Sequence, residues 1–195
     1  MSSEKFNLIE PEARLETPRL LLEPILPAHA FLLYEGLQDE RLYRFIPQEP
    51  SASLGALEDR YEFLSGRRSP DGREAWLNWA MRERTSDDYA GTLEATVHDN
   101  RTASVAYVVF VPYQRRGFAA EACARLLGHL FEDYLVGVVA AEIDTRNIAS
   151  IALVESLGFE RVGFQKGADR FKGSSSDEYR YEIKESVWAG TRPSS

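Results

Sequence analysis

The sequence predicts an α/β fold in which helices cover both faces of one mixed sheet. Two observations lead to this prediction. Some short segments are apolar throughout or at every second position, as strands are, and longer segments have apolar residues at three- and four-residue steps, as helices do. Along the 195-residue chain these segments follow the order βααβββαβαββ. Strands and helices in such an order pack as a sheet between helical layers. We therefore expect one domain over residues 1–195, with its ordered core at about 14–188.

The first part of the chain holds one predicted strand and two predicted helices. Residues 17–24 are mostly apolar between two prolines and are predicted as a strand. Residues 27–37 begin with a proline and are predicted as a helix, and residues 53–64 as a second helix. The Ser-Pro-Asp-Gly sequence at residues 69–72 predicts a turn. The first dozen residues and the tail from Ala189 are expected to be loosely ordered.

Three predicted strands occupy the middle of the chain. Residues 76–82 and 91–97 are joined by a polar segment, and the second alternates apolar with polar residues, as a half-buried strand does. Residues 103–111 are apolar at nearly every position, which predicts a central strand covered on both faces. Pro112 ends this strand.

The last part alternates helices and strands. Residues 118–134 have the clearest helical periodicity in the chain, with charged residues confined to one side. Residues 137–143 are predicted as a short buried strand. Residues 147–157 are predicted as a helix, because an asparagine cap begins them and a glycine follows them. Residues 159–166 and 178–184 are predicted as the closing strands.

The charge balance excludes one class of partner and favours another. The chain carries 23 Lys and Arg against 31 Asp and Glu, a formal net charge of −8. A chain this acidic is poorly suited to binding nucleic-acid phosphate. It is better suited to attracting cations, including protonated amines.

The sequence contains no signal for secretion, a membrane span or a metal site. The N-terminus lacks an apolar signal-peptide core, and the longest apolar run, residues 135–141, is too short to cross a bilayer. Cys123 is the only cysteine, so no intrachain disulfide can form, and we expect a cytoplasmic protein with no membrane partner. The histidines share no metal-ligand spacing, so no metal is expected; they are His29, His98 and His129.

The loop after the predicted central strand carries the strongest functional signal. Backbone N–H groups in the first turn of a helix lack intrahelical partners, and the helix dipole favours anions there. Gly117 lets a phosphate approach the backbone closely, and Arg115 and Arg116 add two cationic donors. The alternative is an exposed turn with solvated arginines, but a strand, a proline, a loop and a helix in this order favour a pyrophosphate site. The loop reads Gln114, Arg115, Arg116, Gly117, Phe118 and Ala119.

This loop matches the Q/R-x-x-G-x-G/A signature of the GNAT acetyltransferases, and the chain resembles that family over nearly its whole length. Residues 17–20 (Thr-Pro-Arg-Leu) resemble the start of the first strand in ribosomal-protein N-terminal acetyltransferases of the RimJ/RimL type. Residues 147–150 (Asn-Ile-Ala-Ser), followed by residues 157–159 (Leu-Gly-Phe), resemble the second cofactor motif of that branch. The resemblance implies the GNAT acyl-CoA N-acyltransferase fold, with a mostly antiparallel sheet that is split at the cofactor site.

The resemblance also implies acetyl-CoA as the co-substrate and assigns residues to it. Its pantetheine arm would lie in a V-shaped split between the strands 103–111 and 137–143. Backbone groups around Phe110 and Val111 would pair with the pantetheine and polarise the thioester carbonyl, and the side-chain amide of Asn147 would bind the cofactor. The backbone amides expected to hold the pyrophosphate are those of Arg116, Gly117, Phe118 and Ala119.

The residue that would protonate the leaving thiolate differs from the usual one. Many GNAT enzymes place a tyrosine seven residues after the motif's asparagine, and here that position is Val154. In the RimJ/RimL branch a serine of the N-x-x-S motif is the matching candidate, which is Ser150 in this chain. The alternative is that Ser150 only binds backbone in the first turn of its helix.

Two carboxylates are candidates for the base that deprotonates the amine. The branch carries a carboxylate ten residues after the Gly-Phe phenylalanine, and counting from Phe159 leads to Asp169. Aspartate is one carbon shorter than the expected glutamate, and a solvated loop carboxylate is the alternative. Glu94 lies on the polar side of a strand next to the active strand and is the second candidate. Tyr107 is interpreted as core packing.

Three classes of function follow for the chain. The first is acetylation of a protein or peptide α-amine, and the second is acetylation of a small molecule such as an amino acid, a polyamine or an aminoglycoside. The third is a non-enzymatic CoA-binding module, which the missing tyrosine favours. The expected partners are acetyl-CoA and an amine acceptor, with a homodimer as a further possibility.

Overall fold

A computed structural model describes residues 13–191 and contains one eight-stranded sheet. From edge to edge the strands follow the order β1-β2-β3-β4-β5-β6-β8-β7. The sheet and its helical layers confirm the predicted fold class. The strands are β1 (Leu15–Glu16), β2 (Leu20–Pro24), β3 (Glu74–Glu83), β4 (Tyr89–His98), β5 (Thr102–Val109), β6 (Val138–Asp144), β7 (Glu160–Phe171) and β8 (Ser174–Lys184).

Five helices and three short 3₁₀ turns are present in the described part of the chain. The helix α3 is the longest of the five and has a continuous apolar face, as its periodicity predicts. The 3₁₀ turns span Gly36–Gln38, Glu40–Tyr43 and Val111–Tyr113. The helices are α1 (His29–Leu33), α2 (Leu54–Ser65), α3 (Phe118–Glu132), α4 (Ile148–Ser156) and α5 (Glu185–Thr191).

The sheet opens at its centre. Neighbouring strands are antiparallel except β5 and β6, which run parallel. Pairing between these two joins residues 102–104 of β5 to residues 138–140 of β6. After that point β5 continues to Val109 and β6 to Asp144 without further pairs between them in the described chain. The two strands therefore diverge and leave a split with unpaired main-chain edges.

Two apolar clusters cover opposite faces of the sheet. One packs α3 and α4 against it through residues such as Leu126 and Val154, which share this cluster with Leu93 of β4. The other packs α1 and α2 against it through residues such as Leu57, which shares this cluster with Phe110. Since successive side chains of a strand alternate between faces, residues next to Leu93 on β4 face α1 and α2.

Several predicted boundaries differ from the structure, each for a local reason. The predicted helix 27–37 shortens to α1 and a 3₁₀ turn that begins at Gly36, where a Cβ would lie 2.4 Å from the Phe110 ring. The predicted strand 103–111 ends at Val109, since Pro112 belongs to a 3₁₀ turn. Its central position is correct, but it is paired on both sides only over residues 102–104.

The closing part of the chain is more regular than the sequence suggests. The segment predicted as a loop between the last two strands extends them into a long hairpin, so Asp169 lies within β7. The tail continues as α5 up to Thr191, beyond the predicted end of ordered structure. The first dozen residues and residues 192–195 lie outside the described part. No helix of the described chain is long and apolar enough to cross a membrane.

Candidate active site

The loop between β5 and α3 forms a cradle of backbone donors. Gly117 caps α3 in a left-handed conformation with φ of 81°, and Arg115 is left-handed with φ of 61°. Within residues 13–191, the N–H groups of residues 115–120 donate to no backbone or side-chain acceptor. A run of unpaired N–H groups at the positive end of a 15-residue helix suits an anion such as a pyrophosphate.

The two arginines of the loop have different surroundings. The guanidinium of Arg116 forms an ion pair with Glu83 of β3 and lies 4.6 Å from the ring centre of Phe118 and 5.4 Å from that of Tyr113. Its side chain therefore holds the loop in shape, and its backbone N–H is the group that remains for a phosphate. Arg115 is exposed.

A third arginine, from the turn before β2, completes the cradle. Arg19 donates from Nη1 to the carbonyl of Arg116 at 2.8 Å and pairs through Nε with Glu121 of α3 at 2.6 Å. Its guanidinium also lies 4.9 Å from the ring centre of Phe118. Glu121 in turn accepts from the hydroxyl of Thr17 at 2.6 Å. The Thr-Pro-Arg-Leu motif thus supports the cradle. The sequence does not predict this contact, because the motif lies about a hundred residues before the loop.

The split presents main-chain groups of β5 that differ from the expected ones. The N–H of Phe110 donates to the carbonyl of Ala90 at 2.8 Å, and its carbonyl accepts from Tyr113 at 2.8 Å. In an antiparallel pair every second residue points both groups to the same neighbour. Those of Tyr107 and Val109 therefore point away from β4, towards the split.

This alternation shifts the expected contacts away from Phe110 and leaves the N–H of Val111 without a hydrogen bond among the described residues. Both groups of Phe110 are engaged, and Val111 lies in a 3₁₀ turn in which its carbonyl accepts from Gln114 at 3.3 Å. The side-chain amide of Gln114 also donates to the carbonyl of Val109 at 2.9 Å and so holds the loop against the end of β5. The groups of this edge that remain open to a pantetheine arm are the N–H and carbonyl of Tyr107 and the N–H of Val109.

A buried carboxylate fixes the turn on the other side of the split. Asp144 at the end of β6 accepts from the backbone N–H of Arg146 at 2.8 Å and from the hydroxyl of Ser176 at 2.7 Å. The Arg146 guanidinium beside it lowers the pKa of Asp144 to about 2 despite its burial. Asn147 follows and caps α4, because its Oδ1 accepts from the N–H of Ser150 at 3.2 Å. The amide NH₂ of Asn147 makes no hydrogen bond within the described part and remains able to donate to a ligand.

Ser150 and Tyr107 meet on the face of the sheet that α3 and α4 cover. Ser150 is half-buried in the first turn of α4, and its hydroxyl makes no backbone hydrogen bond within residues 13–191. Tyr107 of β5 packs against the same apolar cluster. Burial raises the pKa of Tyr107, and the side chain of Ser150 partly offsets this rise. Val154, at the position where the family resemblance predicts a tyrosine, is buried in the core.

Glu94 lies on the opposite face, in a cleft between α2 and the sheet. The cleft has a volume of about 220 Å³. Burial raises the pKa of Glu94, and the positive charge of Arg60 partly offsets the rise. Since Glu94 pairs in register with Ala106 of β5, it sits one strand away from the split. The lining residues are Arg60, Phe63, Leu64, Trp76, Asn78, Glu94, Ala95 and Thr96.

Asp169 lies on another element, the β7–β8 hairpin. It is opposite Ser176, and its carboxylate accepts from the neighbouring backbone N–H of Arg170 at 2.7 Å. The structure therefore brings Ser150, Tyr107 and the open edge of β5 together, places Glu94 across the sheet from them, and leaves Asp169 on the outer hairpin. Among the described residues, no three His, Cys, Asp or Glu side chains are grouped as metal ligands would be.

Comparison with known proteins identifies the family. The model of the acetyltransferase (GNAT) domain matches residues 19–160, which include the cradle, both strands of the split and α4. The chain belongs to the GNAT acetyltransferase family. It is therefore an acetyl-CoA-dependent N-acetyltransferase, and the geometry of the cradle and the split fits that co-substrate.

Relatives of this acetyltransferase share its fold and differ in their acceptors. It is 24% identical to the uncharacterised N-acetyltransferase p20 of Bacillus licheniformis over 90% of this chain and 98% of the relative. A candidate ribosomal-protein-serine acetyltransferase from Vibrio cholerae has a TM-score of 0.74 at 20% identity, covering 90% of this chain and 99% of that one. Spermidine N-acetyltransferase from Vibrio cholerae, in complex with CoA and spermine, has a TM-score of 0.75 at 18% identity, covering 89% and 99%.

The acetyltransferase also has a lysine contact between distant segments that the sequence does not predict. Lys172, at the tip of the β7–β8 hairpin, donates to the carbonyls of Tyr43, Ile46 and Gln48 and lies 3.7 Å from a carboxylate oxygen of Glu49. These contacts join the hairpin to the segment that follows the second 3₁₀ turn. A single lysine in a polar loop carries no sequence signal for such a contact, since its partners are main-chain carbonyls more than a hundred residues away.

Proposed function

We propose that this acetyltransferase transfers the acetyl group to the α-amine of a peptide or protein, by direct attack in a ternary complex, as the RimJ/RimL-type motifs imply. The observation that carries the proposal is the division of groups across the split. Glu94 faces α1 and α2, and Ser150 lies on the side of α3 and α4. An acceptor that enters from one side and a thiol that leaves on the other would each meet one of these groups.

Each group has a definite task in this arrangement. Glu94 would accept the proton that the ammonium must lose before the amine can attack, and its raised pKa makes it a stronger base than an exposed glutamate. The amine nitrogen then bonds to the thioester carbonyl carbon and the carbon–sulfur bond breaks. Backbone N–H groups of β5 at the split would stabilise the charge that develops on the carbonyl oxygen. Ser150 would donate its proton or a hydrogen bond to the departing sulfur.

The charges of the cleft favour an α-amine over a polyamine. Among the described lining residues, Glu94 is the one carboxylate and Arg60 contributes a positive charge close to it. A polyamine carries several ammonium groups, each of which needs a negative partner when desolvated. A peptide N-terminus brings a single ammonium followed by neutral amides, and one carboxylate is enough for it.

Acid–base arithmetic also favours an α-amine over a lysine side chain. The α-amine has a pKa of about 7.7–8.0 against about 10.4 for lysine, a gap of about 2.5 units or roughly 3.4 kcal/mol. Roughly a tenth of an α-amine is already neutral at pH 7. We expect a peptide with a free α-amine to be acetylated up to roughly 300-fold faster than a matched peptide whose only amine is a lysine.

A competition assay at pH 7 tests this preference. The two peptides and spermidine are present together with acetyl-CoA, and mass spectrometry locates the acetyl group in each product. The proposal predicts that the α-amine peptide is consumed first. Preferential acetylation of the lysine, or rapid turnover of spermidine without peptide modification, would contradict it.

Matched variants of the two carboxylates decide which one is the base. We expect Glu94→Gln to lower kcat by roughly 10²–10⁴-fold and Asp169→Asn to leave it nearly unchanged. The pKa of Glu94 is raised in the folded state. The folded protein therefore loses stability as the pH rises from the ordinary glutamate pKa to the raised one, and the loss is complete above the raised pKa. Glu94→Gln should therefore melt at a higher temperature than the wild type at pH 7, with the difference shrinking as the pH falls towards 4.

The dependence of kcat on pH is a second test of the Glu94→Gln and Asp169→Asn variants. The wild-type rate should rise as Glu94 ionises, and the residual rate of Glu94→Gln should lack that limb of the profile. An Asp169→Asn variant that loses turnover while Glu94→Gln keeps it would assign the base to the hairpin instead.

A further inference from the structure

Asn78 of β3 is a nearly buried residue whose side-chain amide has no partner within residues 13–191. The residue is 7% exposed and lines the cleft between α2 and the sheet. Its backbone carbonyl accepts from the N–H of Ile25 at 2.9 Å, but its side chain makes no hydrogen bond in the described part of the chain. Buried amides normally have partners, because the hydration they lose must be replaced. An amide left open towards a cleft in this way indicates a ligand.

Asn78 lies directly beside the proposed base. β3 and β4 pair Asn78 with Glu94 in register, so the two side chains are on the same face of the sheet. Because the carbonyl of Asn78 is bonded to Ile25, just after β2, its main-chain groups point away from β4. The pair is therefore of the closer, non-hydrogen-bonded type, in which the Cα atoms are about 4.5 Å apart. An acceptor whose ammonium contacts Glu94 has its next few atoms within reach of Asn78.

The order of the strands gives the acceptor a direction. The split adjoins β5, Glu94 lies one strand away on β4, and Asn78 lies two strands away on β3. Adjacent strands are about 4.8 Å apart. An acceptor that turns its amine towards the split therefore extends across Glu94 to Asn78. In an α-aminoacyl group the carbonyl follows the carbon that bears the amine, and its oxygen can accept from the NH₂ of an asparagine.

We propose that Asn78 is a specificity-determining residue whose side-chain NH₂ donates a hydrogen bond to the first carbonyl oxygen of an α-aminoacyl acceptor. This inference rests on the proposed function, since it places the acceptor amine at Glu94. A site that hydrogen-bonds a substrate group rejects analogues without that group, because its own buried group is then left unpaired. A polyamine has methylene groups at the position of the carbonyl and incurs this cost at Asn78.

The surroundings of Asn78 strengthen the discrimination. Phe63 and Leu64 of α2 line the same cleft, and the ring centre of Phe63 lies 5.4 Å from that of Trp76. These apolar side chains limit the hydration of a hydrogen bond made beside them. Arg60 is another donor of the cleft, but it is exposed, so water can satisfy its guanidinium whether or not a carbonyl is bound. The buried amide is therefore the group that detects the carbonyl.

Two small acceptors of the same shape separate the carbonyl from the amine. Alanine N-methylamide contains the carbonyl, and (S)-2-aminopentane has methylene groups in place of the carbonyl and the amide N–H. At about pH 9, Asn78→Leu should lower kcat/KM for the alanine amide by roughly 10–10²-fold more than for the alkylamine. KM for acetyl-CoA should stay within about twofold. Each acceptor is compared with itself between wild type and variant, so the different pKa values of the two amines cancel.

A second variant and a melting curve guard against trivial losses. Asn78→Ala removes the same amide without adding bulk and should change the ratio of the two acceptors in the same direction. Both variants should melt at or above the wild-type temperature, since each removes an unpaired buried amide. Equal losses for the two acceptors in both variants, or no loss for either, would overturn the proposal. A wild type that acetylates spermidine and neither probe would refute the proposed function and this inference together.

The side-chain NH₂ signals of Asn78 provide a binding test that needs no turnover. In nitrogen-15-labelled protein they are the pair of resonances missing from Asn78→Leu. With CoA in place of acetyl-CoA no acetyl group is transferred, and alanine N-methylamide should shift this pair more than (S)-2-aminopentane does. Equal shifts with the two compounds would overturn the contact. The larger shift with the alanine amide, found together with preferential acetylation of spermidine, would refute the proposed function and leave the contact of Asn78 supported.

Discussion

Replacing Gly117 with glutamate is expected to abolish acetyl-CoA binding while the fold survives. Gly117 caps α3 with φ of 81° in the middle of the unpaired N–H groups, where the pyrophosphate would lie. A carboxylate placed about 4 Å from a phosphate at an effective dielectric constant of about 20 costs about 4 kcal/mol per charge pair, a loss of affinity of roughly a thousandfold. Calorimetric titration with acetyl-CoA measures the loss.

Gly117→Gln is the matched control for this change. Both side chains impose the same strain on a left-handed residue, and both meet the flexible end of Arg19, whose Nη2 would lie 3.2 Å from a Cβ. The difference between the two variants therefore reports the charge alone. Thermal melting confirms that each variant is folded. Equal affinities for Gly117→Glu and the wild type would refute the assignment of the cradle.

Ser150→Ala is expected to lower kcat by roughly 10²–10⁴-fold and to change the affinity for acetyl-CoA little. The hydroxyl lies at the start of α4, next to Tyr107 and free of the backbone bonds that helix serines often make, at least within residues 13–191. The backbone N–H of Ser150 still donates to Asn147 in the variant, so the helix cap is preserved.

Ser156→Ala on the same helix is the control for Ser150. Its hydroxyl donates to the Leu153 carbonyl at 2.7 Å at the far end of α4 and is exposed. The variant should have the turnover of the wild type. Stopped-flow detection of free thiol in single turnovers separates the chemical step from product release. Wild-type single-turnover rates in Ser150→Ala would leave the hydroxyl without a catalytic role.

Features that depend on neighbouring residues were predictable from the sequence. The order of strands and helices follows from periodicity, and the cradle follows from a strand, a proline, a glycine and a helix start within a few residues. The cap at Asn147 and the buried Val154 are local in the same sense. In each case the residues that decide the structure lie within one or two turns of each other.

Features that depend on strand register or on distant partners were not predictable. Whether Phe110 or Tyr107 faces the split depends on how β5 pairs with β4, which one residue of slip would reverse. The ion pair of Arg116 with Glu83 joins residues that are 33 positions apart. The ring of Tyr107 packs against the core, as its apolar neighbours predict, but the burial of its hydroxyl depends on how the strands and α4 pack together.

The central claim is that the cradle and the opened edge of β5 bind acetyl-CoA. Amide hydrogen exchange of the unmodified protein with and without CoA tests this claim most directly, because it reports each backbone N–H group separately. We predict that CoA slows exchange at residues 115–120, whose N–H groups are unpaired in the structure, and at Tyr107 and Val109 of the split. Binding of CoA without slower exchange at these residues, or with protection confined to another surface, would contradict it.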